Sequence, residues 1–96
     1  MNIEQKIAVI GLGYVGLPLS LRLVKKKFIV YGIDKNLDTI KELRNGKSIL
    51  HYVNKNDLRY FKNNPKKISN GYKDINKCDI IIICLPTPLK RKNPDL

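Results

Sequence analysis

No apolar run in this sequence is long enough to cross a bilayer. The longest stretch without a charged residue is Ile7–Leu21, 15 residues, and it is broken by Gly11, Gly13, Gly16 and Pro18. A spanning helix needs about 18 apolar residues or more. A secretory signal is not expected either: Glu4 sits where a basic leader would begin, and no small-residue cleavage site follows the apolar stretch. The expectation is a cytoplasmic protein with no membrane partner. Cysteine is scarce, with only Cys78 and Cys84. Without an export signal, two cysteines do not form a disulfide framework. Six residues apart in a chain with one histidine, they do not form a zinc site. Both are expected to be small buried hydrophobes, and no metal is expected. His51, the single histidine, has no neighbour that marks it as a general base, so it reads as a structural loop residue. Paired carboxylates, and a nucleophile beside a base, are also missing from the pattern.

Acidic residues are few, 8 against 19 lysines and arginines, which leaves a formal charge of +11. The excess is dispersed. Residues 1–50 hold nine basic and four acidic groups, and residues 51–96 hold ten and four. A nucleic-acid footprint is normally a clustered stripe with interleaved aromatics, and its binding weakens steeply with salt. The local clusters here are Lys25-Lys26-Lys27, Lys66-Lys67 and Lys90-Arg91-Lys92. The first falls at the end of an expected helix, where the dipole favours cations. Solvated surface charge is the expectation, with no nucleic-acid partner. At 96 residues and 43% hydrophobic composition, the chain makes one small domain at most.

What is present is an alternation of strand and helix patterns. Lys6–Ile10 reads as a buried strand ending at glycine. Val15, Leu19 and Leu23 recur at helical spacing over about Tyr14–Lys26, with Pro18 near the first turn, where a missing N–H does least harm. Phe28–Ile33 is a second strand that ends at Asp34. Leu37–Asn45 is a second helix, with Asn36 as N-cap and Gly46 just beyond it. Asn54 is positioned to cap a short helix to about Asn63. Lys67–Ser69 reads as a brief strand and Tyr72–Asn76 as a helical turn. Asp79–Leu85 is β-branched and continuous, so it reads as a strand buried on both faces. Pro86-Thr87-Pro88 stops it, and a polar tail follows. Strands alternating with helices imply an α/β fold with a parallel sheet and right-handed crossovers.

Gly11-Leu12-Gly13-Tyr14-Val15-Gly16 carries the chemistry. GxGxxG alone is weak. Here it follows a strand and opens a helix, and the next strand ends in an acid, Asp34, 18 residues after Gly16. That context is the dinucleotide-binding fingerprint. Gly11 would allow the tight turn, Gly13 would let a pyrophosphate approach the backbone, and Gly16 would let the helix pack close to the strand. The N–H groups near Tyr14 and Val15, with the helix dipole, would hold phosphate charge. Asp34 would accept from the ribose hydroxyls and repel a 2′-phosphate, favouring NAD over NADP. Thr87 lies past the carboxyl end of the last strand, where ligands of open α/β sheets bind, and its hydroxyl is a further candidate cofactor contact.

Lys6–Leu19, with GLGYVGLP at its centre, resembles the opening of the UDP-glucose/GDP-mannose dehydrogenase family. Cys78–Pro88 resembles that family's next signature. Asn93–Leu96 and Gly46–Val53 resemble segments of the branch acting on N-acetylated UDP-sugars, above all UDP-N-acetylglucosamine 6-dehydrogenases. The resemblance implies a Rossmann-like parallel sheet with flanking helices, incomplete at about four of the roughly six strands of a full dinucleotide fold. Residues 1–96 would be the N-terminal part of the NAD-binding domain, stopping partway through it, without the catalytic and UDP-sugar-binding parts. It implies oxidation of the C6 hydroxyl of a UDP-sugar to a carboxylate with NAD, for surface polysaccharide, in an enzyme that is homo-oligomeric at full length. Gly11, Gly13, Tyr14, Val15, Gly16, Asp34 and Thr87 are the cofactor residues carried over. The nucleophilic cysteine lies downstream in such enzymes, so neither Cys78 nor Cys84 takes that role. Thr39 stands where some members have a basic residue, and Tyr52-Val53 where Ile-Pro is usual. From the residues alone, a stand-alone, non-catalytic nucleotide-binding module is the alternative. With no covering helix after the last strand, apolar surface near Ile80–Leu85 and modest stability are expected.

Overall fold

The computed structural model describes residues 4–48, 50 and 52–84. His51, the Pro86-Thr87-Pro88 loop and the tail from Leu85 onward lie outside the described residues. The elements are β1 (Lys6–Ile10), α1 (Gly16–Lys25), β2 (Ile29–Ile33), α2 (Leu37–Arg44), α3 (Arg59–Asn63), β3 (Ile68–Ser69) and β4 (Ile80–Ile83). Short 3-10 turns occupy Pro65–Lys67 and Ile75–Lys77.

All four strands are parallel, in the order β3-β2-β1-β4. The chain steps outward from β1 to β2 to β3, then returns to the other side of β1 for β4. The order therefore reverses between β1 and β4, and the carboxyl ends of both strands open on that reversal. Ligand crevices of open parallel sheets form at such a point.

Burial follows the strand alternation. Ile7 pairs with Val30 on one side and Ile80 on the other, and Val9 pairs with Gly32 and Ile82. Ile7, Val9 and Val30 join one core cluster with Leu17 and Leu21 of α1, Ile40 and Leu43 of α2, Phe61 of α3 and Ile68 of β3. Full burial of Phe61 is worth about 2 kcal/mol. Gly32 makes room for that ring: a Cβ there would sit 3.2 Å from Phe61 Cζ and 3.0 Å from Leu12 Cδ1.

Helix ends match the sequence. Asn36 caps α2 by accepting from the N–H groups of Asp38 and Thr39. Both long helices close with paired reverse-turn bonds. In α1, Lys27 N–H donates to Val24 O and Phe28 N–H to Leu23 O; in α2, Gly46 and Lys47 do the same toward Leu43 and Glu42. Glycine suits the left-handed position in α2, with Gly46 at φ 70, whereas α1 places Lys27 there at φ 76.

Three expectations need correction. β4 is not buried on both faces: Ile80, Ile81 and Ile83 are 41%, 46% and 63% exposed. The physical reason is the β3–β4 connection. It holds only a 3-10 turn where a full crossover helix would lie, and no described strand pairs beyond β4. Exposure in this region agrees with the apolar surface expected there. Cys78 and Cys84 are half-buried, not core residues. The helix after Asn54 begins only at Arg59; before it, Asn54 Oδ1 accepts from Asn56 N–H and its carbonyl holds a turn to Asp57 and Leu58.

One tyrosine completes the sheet where a strand is too short. Val30, like Gly32, turns its N–H and C=O toward β3, but β3 pairs with β2 only at Gly32 and Ile33. Tyr60 supplies the missing partner. Its hydroxyl accepts from Val30 N–H at 2.9 Å and donates to Val30 O at 3.0 Å. Burial raises the Tyr60 pKa above its ordinary 10.0, a hydrogen bond from the Val30 backbone opposes the rise, and nearby Tyr31 adds to it. A phenol whose native pKa is raised stabilises the fold fully below its unfolded pKa, and that contribution is lost as pH climbs from there through the native value. Tyr60→Phe is expected to cost about 1–2 kcal/mol in urea unfolding at neutral pH. It should also flatten the fall in stability above pH 10. A variant as stable as wild type with an unchanged alkaline profile contradicts this role.

Candidate functional site

The site is built where β1 hands over to α1. Gly11 leaves the strand at φ 97, a left-handed conformation costly to residues with a side chain. Its N–H still donates to Ile33 O at 2.8 Å, so the turn starts while the sheet bond to β2 is intact. Gly16 opens α1 directly over this turn. A Cβ on Gly16 would lie 1.6 Å from Gly11 O and 3.3 Å from Cys84 Cβ at the end of β4. Only glycine fits. Gly13 is the opposite case, with nothing within 4 Å of the position its Cβ would take.

Asp34 ties the loop to β2. One carboxylate oxygen accepts from Leu12 N–H at 2.8 Å, and the other accepts from Asn36 N–H at 2.9 Å. Asp34 therefore braces the glycine loop, a role the sequence did not suggest, and starts the turn into α2. It remains half-exposed beside the loop.

The two long helices differ at their N-termini. Asn36 closes α2, and Asp38 lies in its first turn. α1 has neither: Val15 makes no side-chain cap, and no acidic residue lies in the first turn. Among the described residues, no acceptor meets the N–H groups of Gly13, Tyr14, Val15 or Gly16. Four consecutive donors without an acceptor among the described residues, the positive end of α1 and open space over Gly13 lie together in this turn. Unpaired N–H groups at a helix start are the chemistry of a phosphate cradle.

The structure thus brings together Gly11, Gly13, Tyr14, Val15, Gly16 and Asp34. Thr87 lies outside the described residues. Tyr52 was not legible as a site residue. Its hydroxyl donates to Tyr14 O at 2.9 Å, and its ring stacks on Tyr14 with centroids 6.4 Å apart. Cys78 carries no sign of a reactive thiolate. Burial raises its pKa first, and the Asp74 and Asp79 charges raise it further. Among the described residues no three metal-ligating side chains cluster, and no helix is long and apolar enough to cross a membrane. A separate groove of about 460 Å³ runs along the outer flank of α1, lined by Arg22, Lys25, Lys26 and Asn54 among others. Its walls lack the donors of the glycine loop.

Fold and site together define a dinucleotide-binding half of a doubly wound α/β domain. The family model for the UDP-glucose/GDP-mannose dehydrogenase family, NAD binding domain, matches residues 5–96. Over 94 residues the chain is 40% identical to protein CapL of Staphylococcus aureus, covering 97% of this chain and 21% of that protein. It is 39% identical to a UDP-N-acetyl-D-glucosamine 6-dehydrogenase of Pseudomonas aeruginosa, over 97% of this chain and 22% of that one. The solved UDP-D-ManNAc dehydrogenase of Pyrococcus horikoshii superposes with a TM-score of 0.74 at 30% identity, over 95% of this chain and 22% of that chain. The chain belongs to the UDP-glucose/GDP-mannose dehydrogenase family, within its NAD-binding domain. It spans about a fifth of the length of the curated relatives it matches.

Two glycine substitutions should separate packing from ligand access. Gly16→Ala drives a methyl into Gly11 O and is expected to cost about 3 kcal/mol of stability as well as NAD binding. Gly13→Ala meets no atom of the protein, so it should melt like wild type while binding NAD at least about tenfold more weakly, the loss expected from a methyl in the phosphate path. Thermal melts and calorimetric titrations check both. A Gly13→Ala chain that binds NAD normally contradicts the assignment of the phosphate path.

Proposed function

We propose that this chain is the NAD-binding segment of a nucleotide-sugar 6-dehydrogenase. The enzyme would oxidise the C6 hydroxyl of a UDP-sugar, of the N-acetyl-hexosamine class, to a carboxylate for surface polysaccharide. The observation that carries the reading is the uncapped, acid-free start of α1 above a glycine loop braced by Asp34. The substrate class is supported by relatives named as UDP-N-acetyl-D-glucosamine 6-dehydrogenase and UDP-N-acetyl-D-mannosamine dehydrogenase.

In this reading the N–H groups of Gly13 to Gly16 hold the pyrophosphate, and Asp34 receives the adenosine ribose hydroxyls with whatever acceptor capacity Leu12 and Asn36 leave. Thr87 is proposed as a further contact across the crevice. Bound NAD supplies a hydride acceptor. The residues of this chain bind and orient it, and the groups that act on the sugar belong to the remaining part of the longer enzyme. On the same reading the protein works in the cytoplasm, its partner is a UDP-sugar in the full-length homo-oligomeric enzyme, and neither nucleic acid nor membrane is engaged.

Calorimetric titration with NAD and NADP tests the proposal. NAD is expected to bind about tenfold or more tightly than NADP, because the Asp34 charge lies where a 2′-phosphate would go. Asp34→Asn removes the charge and keeps one acceptor oxygen while turning its NH2 toward the other N–H donor, so both affinities should fall and the preference should narrow toward parity. Equal affinities in wild type, or no binding of either, would falsify this reading.

A further inference from the structure

The carbonyl of Tyr14 presents an accounting problem that the helix cannot solve. In an α-helix the C=O of residue i accepts from the N–H of residue i+4. Around the start of α1, Leu17 N–H donates to Gly13 O and Leu19 N–H to Val15 O, each at 3.1 Å. Between them, Tyr14 O would need the N–H of residue 18, which is proline and has none. Tyr52 fills the gap from 38 residues away, donating its phenolic O–H to Tyr14 O at 2.9 Å. The two rings lie nearly parallel, 22° apart, which fixes the approach of the phenol.

The same peptide unit carries the N–H of Val15. Across a trans peptide the C=O and N–H point in opposite directions. A hydrogen bond that holds the carbonyl toward Tyr52 therefore aims the Val15 N–H away from it, and this N–H is one of the four donors without an acceptor among the described residues. We propose that Tyr52 is a positioning residue for the dinucleotide loop: its hydroxyl replaces the N–H that Pro18 lacks, and so sets the Val15 N–H for the pyrophosphate before the cofactor arrives. Leu50 and Leu58, on either side of Tyr52 in the sequence, lie in the core, and Lys25 of α1 pairs with Asp57 at 3.3 Å. This inference rests on the cofactor reading above.

The test is a double-mutant cycle on the 96-residue chain, with NAD affinity by calorimetry and the Val15 amide followed by NMR. Tyr52→Phe keeps the ring and its stacking and removes one hydrogen bond. It is expected to weaken NAD binding about threefold to fivefold, and to shift the Val15 amide resonance in the absence of NAD. Pro18→Ala restores a backbone N–H that can serve Tyr14 O. In that background Tyr52→Phe should cost less than about twofold. An unchanged NAD affinity in Tyr52→Phe with an unmoved Val15 amide overturns the clamp alone. An equal loss in both backgrounds also overturns it, because the phenol would then act by another route. A wild-type chain that does not bind NAD overturns the cofactor reading itself, and the clamp as a cofactor device with it.

Discussion

The contact between Gly16 and the carbonyl of Gly11 is the constraint on which the rest of the molecule depends. A methyl group at residue 16 would penetrate to 1.6 Å of that oxygen, so the first residue of α1 lies against the last turn of β1. Because the helix begins there, its unpaired N–H groups gather over the carboxyl end of the sheet. Leu17 and Leu21 then drop onto the same face as Ile7 and Val9. Asp34, just past the end of β2, reaches Leu12 N–H because the glycine loop leaves β1 alongside that strand end, where Gly11 N–H still bonds Ile33 O. One close approach therefore fixes helix placement, core alignment and donor geometry together.

The sheet is finished unevenly, and side chains make up what the backbone does not. β3 is two residues long, and Tyr60 stands in for the strand at Val30. Arg44 links α2 to the same edge by donating to the carbonyls of Pro65 and Ile68. On the other side β4 leaves Ile80, Ile81 and Ile83 partly in solvent, while Ile82 packs against the core. Charge is dispersed along the chain, and among the described residues the outermost strand on this side, β4, is apolar.

Much of this was legible in the sequence, and the parts that were not have physical reasons. β1, α1, β2 and α2 announced themselves by their apolar period, helped by the glycines between β1 and α1 and by Asn36 and Gly46 at the ends of α2. Gly11 and Gly16 were readable because their jobs are set by local chain geometry, whereas the bond from Leu12 N–H to Asp34, 22 residues on, was not. The two-sided burial expected of β4 failed because a β-branched run looks the same whether or not a helix covers it; its exposure was legible only from the missing covering helix, not from Ile80–Ile83 themselves. Tyr60 and Tyr52 were invisible for a different reason. Each acts on backbone at long range, and nothing near a tyrosine in sequence says which distant carbonyl it serves. The one local clue was Pro18, four residues after Tyr14, which leaves a carbonyl in need of a donor without naming it.

The central claim is that the glycine loop at the start of α1, and not the basic surface, receives the nucleotide. Amide chemical shifts of the chain during an NAD titration test it most directly. The account predicts the largest saturable changes at Leu12 to Gly16, with changes at the Asp34 amide, and little salt dependence of which residues respond. Dominant changes at Arg22, Lys25, Lys26 and Asn54 along the outer groove, or diffuse changes over the lysine surface that vanish with added salt, would contradict it.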